Sequence, residues 1–384
     1  MIRRGAFIWV LSIALSLLFL VAACGGGEAN PFKVKSELVT NAQLPQALAF
    51  APDGRLFYAE RLTGDVRVVS ADGQLQKEPF VHVDVPFLLE WGLSGLAIDP
   101  EFESNHYVYI YFTEVVEAEP RIIAKPVVWR FTEESNRGVN RKVIVGDLPD
   151  TIIDRPGFNA NGGMHFGPDG FLYIAVGDYD VGVSQDLSIP VGKLLRVDKE
   201  DGSAPLDNPF VDIPNVDPRI FAYGFRESFD FVIHPQTAQI YGNDNTPGSC
   251  EELNLIEAGG NYGWPEVGEF PWPDCLAGEQ IKAIHLFARK GMNPGDYLST
   301  VLVAGKEFVS GDVYPLFGDS LLVCQGDEKL MRRLTLTGAN LDQVAANDVV
   351  VRDCSLDVTV SPDGIVYYSD EEEIRRLVPA KAEP

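Results

Sequence analysis

The feature that most constrains this fold is a phrase that recurs along the chain. It consists of an alternating apolar strand, a turn of the Pro-Asp-Gly type and a second strand rich in aromatic residues. Proline suits the second turn position because its φ is fixed, and glycine supplies the positive φ that follows. A strand–turn–strand unit repeated in this way predicts an architecture of small stacked sheets. The copies are residues 47–58, 95–112, 163–173, 230–241 and 357–368.

The spacing of these copies indicates how many sheets to expect. The interval between the fourth and fifth copies is long and contains one further unit, at residues 318–323 and 330–334. Six units, each with the length and strand content of a blade, predict an all-β, six-bladed β-propeller over residues 40–378. A generic β-sandwich is the alternative, but it would not explain so constant a phrase. Residues 379–384 read as a polar tail, and we expect ligands at one mouth of the central channel.

The N-terminal residues read as a targeting segment. Arg3 and Arg4 precede a mostly apolar run over residues 6–23, and small residues lead into Cys24 and three glycines. This pattern is typical of a signal peptide, residues 1–23, followed by a lipidated cysteine, with residues 24–39 as the lipidated Cys and tether. The alternative is an uncleaved transmembrane anchor. We expect an extracytoplasmic domain, lipid-anchored through Cys24 to a bacterial membrane of the cell envelope.

The net charge indicates which classes of binding partner to expect. Two of the 31 Lys and Arg residues lie in the targeting segment, so 29 remain against 56 Asp and Glu, a net charge of −27. Nucleic acid binding requires a basic footprint and is therefore excluded as an expectation. The acidic surplus favours a well-solvated surface and is compatible with Ca²⁺ binding.

Four cysteines remain beside Cys24, and an even number in an exported chain indicates disulfides. Three pairings are possible. We expect neighbours in sequence to pair, as Cys250–Cys275 and Cys324–Cys354. A zinc site is less favoured, because the chain has no CxxC spacing and only five histidines.

Three segments carry a resemblance to a known family. Residues 90–102, 161–178 and 224–265 are similar, in this order, to blade motifs of the soluble PQQ-dependent glucose and aldose sugar dehydrogenases, the glucose/sorbosone dehydrogenase family. The resemblance implies pyrroloquinoline quinone (PQQ) in the mouth, a Ca²⁺ that polarises it, and a histidine base for the sugar C1 hydroxyl. Hydride then passes from C1 to the quinone.

The resemblance also implies residues for the cofactor and the metal. Arg226 matches the family arginine that contacts the quinone oxygens, and Asn245 and Glu90 line the same mouth. The backbone carbonyls of Thr246 and Pro247 fall at the strand end that holds Ca²⁺ in the family. Three further cations are available to a trianionic cofactor. They are Arg332, Arg333 and Arg352.

The family base is replaced. Its position falls on Asn159 or Ala160, depending on a one-residue gap, and neither side chain accepts a proton at neutral pH. Glu251 matches the carboxylate that orients the base. The implied catalytic set is therefore Arg226, Glu251 and Asn159, with Glu251 taking the proton directly or through a water held with Asn159. His165 is the nearest histidine, and we expect it to pack within its blade.

Three functions follow as hypotheses. The leading one is an exported, membrane-tethered oxidoreductase that oxidises a small-molecule sugar at C1, with an electron acceptor that the sequence does not identify. The second is a catalytically silent propeller that binds a carbohydrate or a protein at the same mouth. The third is a lactonase-type hydrolase with Glu90, Asp178 and Glu251 around a central Ca²⁺.

Overall fold

Short antiparallel strands and one helical turn account for the regular structure of the described residues. This computed structural model describes residues 31–86, 90–117, 123–152, 159–160, 162–179, 181–245, 250–264, 281–293 and 300–379. The predicted signal peptide and Cys24 lie outside these ranges. Within them, no helix combines the length and apolar character that a bilayer span requires.

The strands form six antiparallel sheets, which we call blades 1 to 6 in chain order. The first strand, β1 (Val34–Asn41), belongs to blade 6. Blade 1 contains β2 (Pro45–Phe50), β3 (Leu56–Glu60), β4 (Asp65–Val69) and β5 (Val81–His82). Blade 2 contains β6 (Leu93–Ile98), α1 (Phe102–Asn105), β7 (Tyr107–Glu117), β8 (Ile123–Glu134), β9 (Arg137–Val145) and β10 (Thr151–Ile152). Blade 3 contains β11 (Met164–Phe166), β12 (Leu172–Val176), β13 (Lys193–Val197) and β14 (Ile220–Tyr223).

The second half of the chain repeats this arrangement. Blade 4 contains β15 (Phe231–Ile233), β16 (Ile240–Asp244), β17 (Glu251–Ile256) and β18 (His285–Phe287). Blade 5 contains β19 (Val303–Val309), β20 (Ser320–Gln325), β21 (Leu330–Thr337) and β22 (Gln343–Val351). Blade 6 contains β23 (Val358–Val360), β24 (Val366–Ser369) and β25 (Glu373–Pro379), and β25 pairs with β1. The predicted six-bladed β-propeller is therefore confirmed.

The first strands of the blades form the inner ring. Each of β2, β6, β11, β15, β19 and β23 contacts the next, and β23 returns to β2. The recurring turns join first and second strands, where Gly54, Gly170 and Gly364 have φ values of 86°, 81° and 83°. Only glycine adopts this conformation without strain, which explains why the phrase is so constant.

Apolar packing fills the wedges between neighbouring blades. Phe57 of blade 1 packs with Phe112 of blade 2, and Tyr109 of blade 2 packs with Ile174 of blade 3. Each blade thus buries both faces against its neighbours, which stabilises the ring through the hydrophobic effect.

Blade 6 and the disulfides fix the last part of the ring. Asp357 Oδ2 accepts a hydrogen bond from Leu48 N–H at 2.7 Å, so the last blade is joined to the first. Cys324 and Cys354 form a disulfide with a Cα–Cα distance of 5.3 Å. Cys250 is also disulfide-bonded, and its predicted partner Cys275 lies outside the described residues.

Candidate active site at the propeller mouth

The predicted site residues lie at one end of the propeller. In an antiparallel blade, the start of the first strand, the end of the second and the start of the third share the same end. Glu90 and Asn159 precede first strands, Asn245 follows a second strand, and Glu251 begins a third. We call this end the mouth. The Pro-Asp-Gly turns lie at the opposite end.

Asn159 is held between two carboxylates. Its N–H donates to Glu90, and its Nδ2 donates to Asp178 Oδ1 at 2.8 Å. The residue is 1% exposed, has a positive φ of 56°, and its Oδ1 has no hydrogen-bond partner among the described residues. Ala160 instead packs in an apolar cluster with Trp91. Of the two positions that the sequence left open, Asn159 is the one that faces a carboxylate.

Asp178 connects blades 3 and 4 at this mouth. It follows β12, its Oδ2 accepts Trp264 Nε1 at 2.7 Å, and its N–H donates to the Arg226 carbonyl at 2.9 Å. The sequence suggested that Glu251 orients the residue at the base position. In the described hydrogen bonds, the carboxylate on the Asn159 amide is Asp178, which the sequence suggested only for the lactonase-type alternative.

Arg226 stands at the entrance to blade 4. Its backbone N–H donates to Asp244 at 2.9 and 3.0 Å, and its Nη1 donates to the Asn245 carbonyl at 3.0 Å. The guanidinium carbon lies 5.8 Å from the Trp264 ring centre, and the side chain is 15% exposed. Its Nε is buried without a hydrogen-bond partner in the described part of the chain. The guanidinium therefore keeps a buried donor that no described protein atom uses.

Glu251 is buried, with 1% of its surface exposed. Its Oε2 accepts Val303 N–H at 3.3 Å, and the Asn245 Oδ1 accepts the same N–H at 3.2 Å. Burial is the largest cause that raises the pKa of Glu251 to about 7, and Asp327 also raises it. Val303 N–H and the positive charge of Arg226 act in the other direction. The carboxyl group therefore exchanges its proton near neutrality.

Two acids of this site were missed from the sequence. Asp244 accepts the N–H groups of Arg226 and Glu227 and so fixes the turn into blade 4. The Glu227 carboxylate lies 3.7 Å from Arg226 Nη1, and its side chain is 8% exposed. Burial first, then Glu90, raises the pKa of Glu227 well above its usual range. The only available signal was a charged residue directly after Arg226 at a strand entrance.

Three residues considered from the sequence lie away from this set. His165 Nε2 contacts Asp230 Oδ1 at 2.8 Å in the central channel, and its ring packs edge-on to Phe231. His165 therefore packs between blades 3 and 4, and not within its own blade as expected. Arg332 and Arg333 bind Gln325 and Asp348 within blade 5, so the expectation that they serve the cofactor finds no support in their contacts.

The metal prediction falls on the two residues Thr246 and Pro247, which lie outside the described residues. Within the described ranges, no cluster of three or more His, Cys, Asp or Glu side chains is arranged to hold a metal ion. The structure therefore leaves the predicted Ca²⁺ site untested.

The comparison with protein families matches the glucose/sorbosone dehydrogenase model over residues 42–378. The chain belongs to this family. The match covers all six blades, so the resemblance found in three segments extends over the whole propeller.

Individual relatives span much of the same length. An uncharacterised protein of Synechocystis is 28% identical, over 91% of this chain and 87% of its own. Quinoprotein glucose dehydrogenase B of Acinetobacter calcoaceticus is 27% identical, over 62% of this chain and 53% of its own. The crystal structure of a putative glucose dehydrogenase from Thermus thermophilus is 29% identical, covers 90% of this chain and 100% of its own, and has a TM-score of 0.72.

Proposed function

We propose that this protein is a sugar oxidoreductase that oxidises an aldose at its C1 hydroxyl at the propeller mouth, with PQQ as the electron-accepting cofactor. The observation that carries the proposal is the connected set at the mouth of a family member. Glu90, Asn159, Asp178 and Arg226 are linked by hydrogen bonds across blades 2, 3 and 4. Sites of this kind are positioned by a rigid scaffold.

The fit of a quinone to this mouth depends on donors and charge. Arg226 Nε is a buried donor without a partner among the described residues, which suits a quinone oxygen on which negative charge develops. The mouth also contains several acids, and these do not suit free cofactor carboxylates. A divalent cation bound together with the quinone would offset them. The residues therefore fit PQQ in company with such a cation, and Arg226, Asn245 and Glu90 are the groups that would hold it.

When bound, PQQ supplies a two-electron acceptor for the hydride that leaves C1. The chain must take the hydroxyl proton. Glu251 meets this need, because a pKa of about 7 keeps a large fraction ionised at neutral pH. Asp178 positions Asn159 and Trp264 around the sugar, and Arg226 supplies positive charge beside them.

The test is aldose-dependent dye reduction by the full chain, reconstituted with Ca²⁺ and PQQ. Glu251→Gln should lower kcat at least about 100-fold, because it removes the proton acceptor. Glu257→Gln is the matched control, since Glu257 is exposed beyond the far end of β17 and makes the same charge change. Full turnover by the Glu251→Gln variant would show that Glu251 is not the proton acceptor. Absence of turnover by the unaltered protein would contradict the proposed reaction.

One observation favours a second function, a silent sugar-binding propeller. The position beside Asp178 holds an amide, which cannot accept a proton. Sugar binding measured by calorimetry, without any dye reduction at saturating PQQ and Ca²⁺, would support this second function over the first.

We also propose that the protein is exported and tethered through Cys24. The motif over residues 1–27 supports this proposal. Cys24→Ala should abolish incorporation of a labelled fatty acid and prevent processing of the N-terminus. A protein that keeps residues 1–23 and stays in the membrane fraction with either residue at position 24 would instead indicate an uncleaved anchor.

A further inference from the structure

Among the described acids of the mouth, the Glu227 carboxylate has the fewest polar contacts. Its side chain is 8% exposed, and its one described polar contact is Arg226 Nη1 at 3.7 Å, beyond hydrogen-bond distance. The backbone of Glu227 is nevertheless held firmly. Its N–H donates to Asp244 at 2.7 Å, and its carbonyl accepts Asn245 N–H at 3.2 Å. A fixed, nearly buried carboxylate without a donor costs free energy in the unliganded protein.

A second buried acceptor lies in the same mouth. Asn159 Oδ1 has no hydrogen-bond partner in the described ranges, although both nitrogens of Asn159 are bound to carboxylates. Glu90 joins the two acceptors, because it receives the Asn159 N–H and is the acid that acts most strongly on Glu227. The mouth thus presents acceptors that lack donors, on residues whose own positions are fixed.

The charge around these acceptors is negative. Glu90, Asp244 and Glu251 all disfavour the ionised form of Glu227, and Arg226 is the cation that opposes them. Arg226 already donates through Nη1 to the Asn245 carbonyl. A ligand that brings both positive charge and several N–H donors would satisfy the acceptors and reduce the repulsion.

We propose that this mouth selects an amino sugar, whose protonated amino group is bound by the Glu227 carboxylate and Asn159 Oδ1. An ammonium group is compact and carries three donors, so it can donate to more than one acceptor. A neutral sugar supplies hydroxyl donors without the charge, and a uronate adds a further negative charge to the mouth. This inference rests on the proposed function for its placement of a sugar in the mouth, and it names the class of sugar.

The test is calorimetric binding to the full chain without quinone, in buffer that contains EDTA, near neutral pH. The ligands are D-glucosamine, its neutral N-acetyl form, D-glucose and D-glucuronate. We expect D-glucosamine to bind at least about tenfold more tightly than the N-acetyl form, as one charge-assisted hydrogen bond predicts. D-Glucuronate should bind most weakly, and added salt should reduce the preference.

Glu227→Gln should remove most of that tenfold preference, since it keeps the shape of the side chain and removes its charge. Glu257→Gln makes the same charge change outside the mouth and should keep the preference. Thermal unfolding of both variants checks that each is folded. If Glu227→Gln fails to fold, Glu90→Gln is the second variant, and it should reduce the preference for D-glucosamine by a smaller factor.

Equal affinity for D-glucosamine and its N-acetyl form would overturn the inference, as would a preference that survives Glu227→Gln. Tight Ca²⁺ binding that Glu227→Gln abolishes, without amino-sugar binding, would assign the carboxylate to a cation and also overturn it. Amino-sugar binding without dye reduction would leave this inference intact and contradict the proposed reaction. Oxidation of a neutral sugar without a preference for binding the amino sugar would support the proposed reaction and overturn this inference.

Discussion

The mouth and the central channel both contain several buried acids, but the two regions differ in how these carboxylates are hydrogen-bonded. In the channel, Asp230 accepts Lys306 N–H at 3.2 Å and contacts His165 at 2.8 Å, and Asp357 accepts Leu48 and Val358 N–H groups at 2.7 and 2.8 Å. At the mouth, Glu227 has no such donor among the described residues.

The satisfied acids of the channel join neighbouring blades, so their role is structural. Asp230 links blade 4 to blade 5 through Lys306, whose Nζ also donates to the Asp230 carbonyl at 2.7 Å and to Asn243 at 2.6 Å. Buried polar groups are expected to be fully paired when they serve only the fold. The acceptors of the mouth that lack a donor among the described residues are therefore consistent with the proposed ligand site.

The largest effect expected from this comparison is at Asp230. Asp230→Ala should lower the free energy of unfolding by about 3–5 kcal/mol, because it leaves buried Lys306 and partly buried His165 without their partner. Urea unfolding followed by fluorescence measures the loss. A loss below about 1 kcal/mol would mean that the channel network does not hold the blades together.

Next in size is a gain of activity at the mouth. Asn159→His should raise PQQ-dependent aldose oxidation by about 100-fold or more, because it places a base beside Asp178. Histidine is among the residues that tolerate a positive φ, so the backbone conformation at 159 can be kept. The double variant Asn159→His with Asp178→Asn should lose this gain. A folded Asn159→His protein without any increase would contradict the assignment of this position.

A third effect concerns stability and pH. The pKa of Glu251 is raised from 4.5 to about 7, so the folded protein holds this proton more tightly than the unfolded chain does. The protonated Glu251 therefore stabilises the folded state by about 3 kcal/mol relative to its ionised form. This contribution to the free energy of unfolding is complete below pH 4.5 and is lost as pH rises towards 7.

Glu251→Gln cannot ionise, so its stability relative to the unaltered protein should increase by about 2–3 kcal/mol between about pH 5 and pH 8. Chemical unfolding at the two pH values measures this difference, with Glu257→Gln as the control. A pH-independent difference would mean that folding does not shift the pKa of the Glu251 carboxyl group.

The smallest expected effect is the stability of Glu227→Gln. Replacing a nearly buried carboxyl group that has no described donor by a neutral amide should raise the free energy of unfolding by up to about 1 kcal/mol. This sign is opposite to that expected for Asp230→Ala, although both changes remove one buried carboxylate. A clear destabilisation by Glu227→Gln would show that the mouth, like the channel, is built for the fold.

The sequence predicted the fold well because the signal is local. A proline and a glycine determine each turn, and the turns recur at blade spacing, so Gly54, Gly170 and Gly364 identify three blades without tertiary information. The inner ring then follows from closure of repeated sheets.

The site was predicted only in part, because its chemistry depends on contacts between blades. A one-residue gap left Asn159 and Ala160 equivalent in sequence, and only the bond to Asp178 separates them. Burial of Glu227 and the pKa of Glu251 arise when separate blades meet, which no local pattern records.

The pairing of β1 with β25 has a consequence for timing. Val34 lies opposite Pro379, so β1 pairs with β25, which is synthesised after the other described strands of the propeller. The pairing of β1 with β25 cannot form until residues 373–379 have left the ribosome, however early the other five blades form. Contacts so distant in sequence slow the final folding step. A chain that ends before residue 373 would lack the β1–β25 strand pairing, which connects the first and last strands of the propeller.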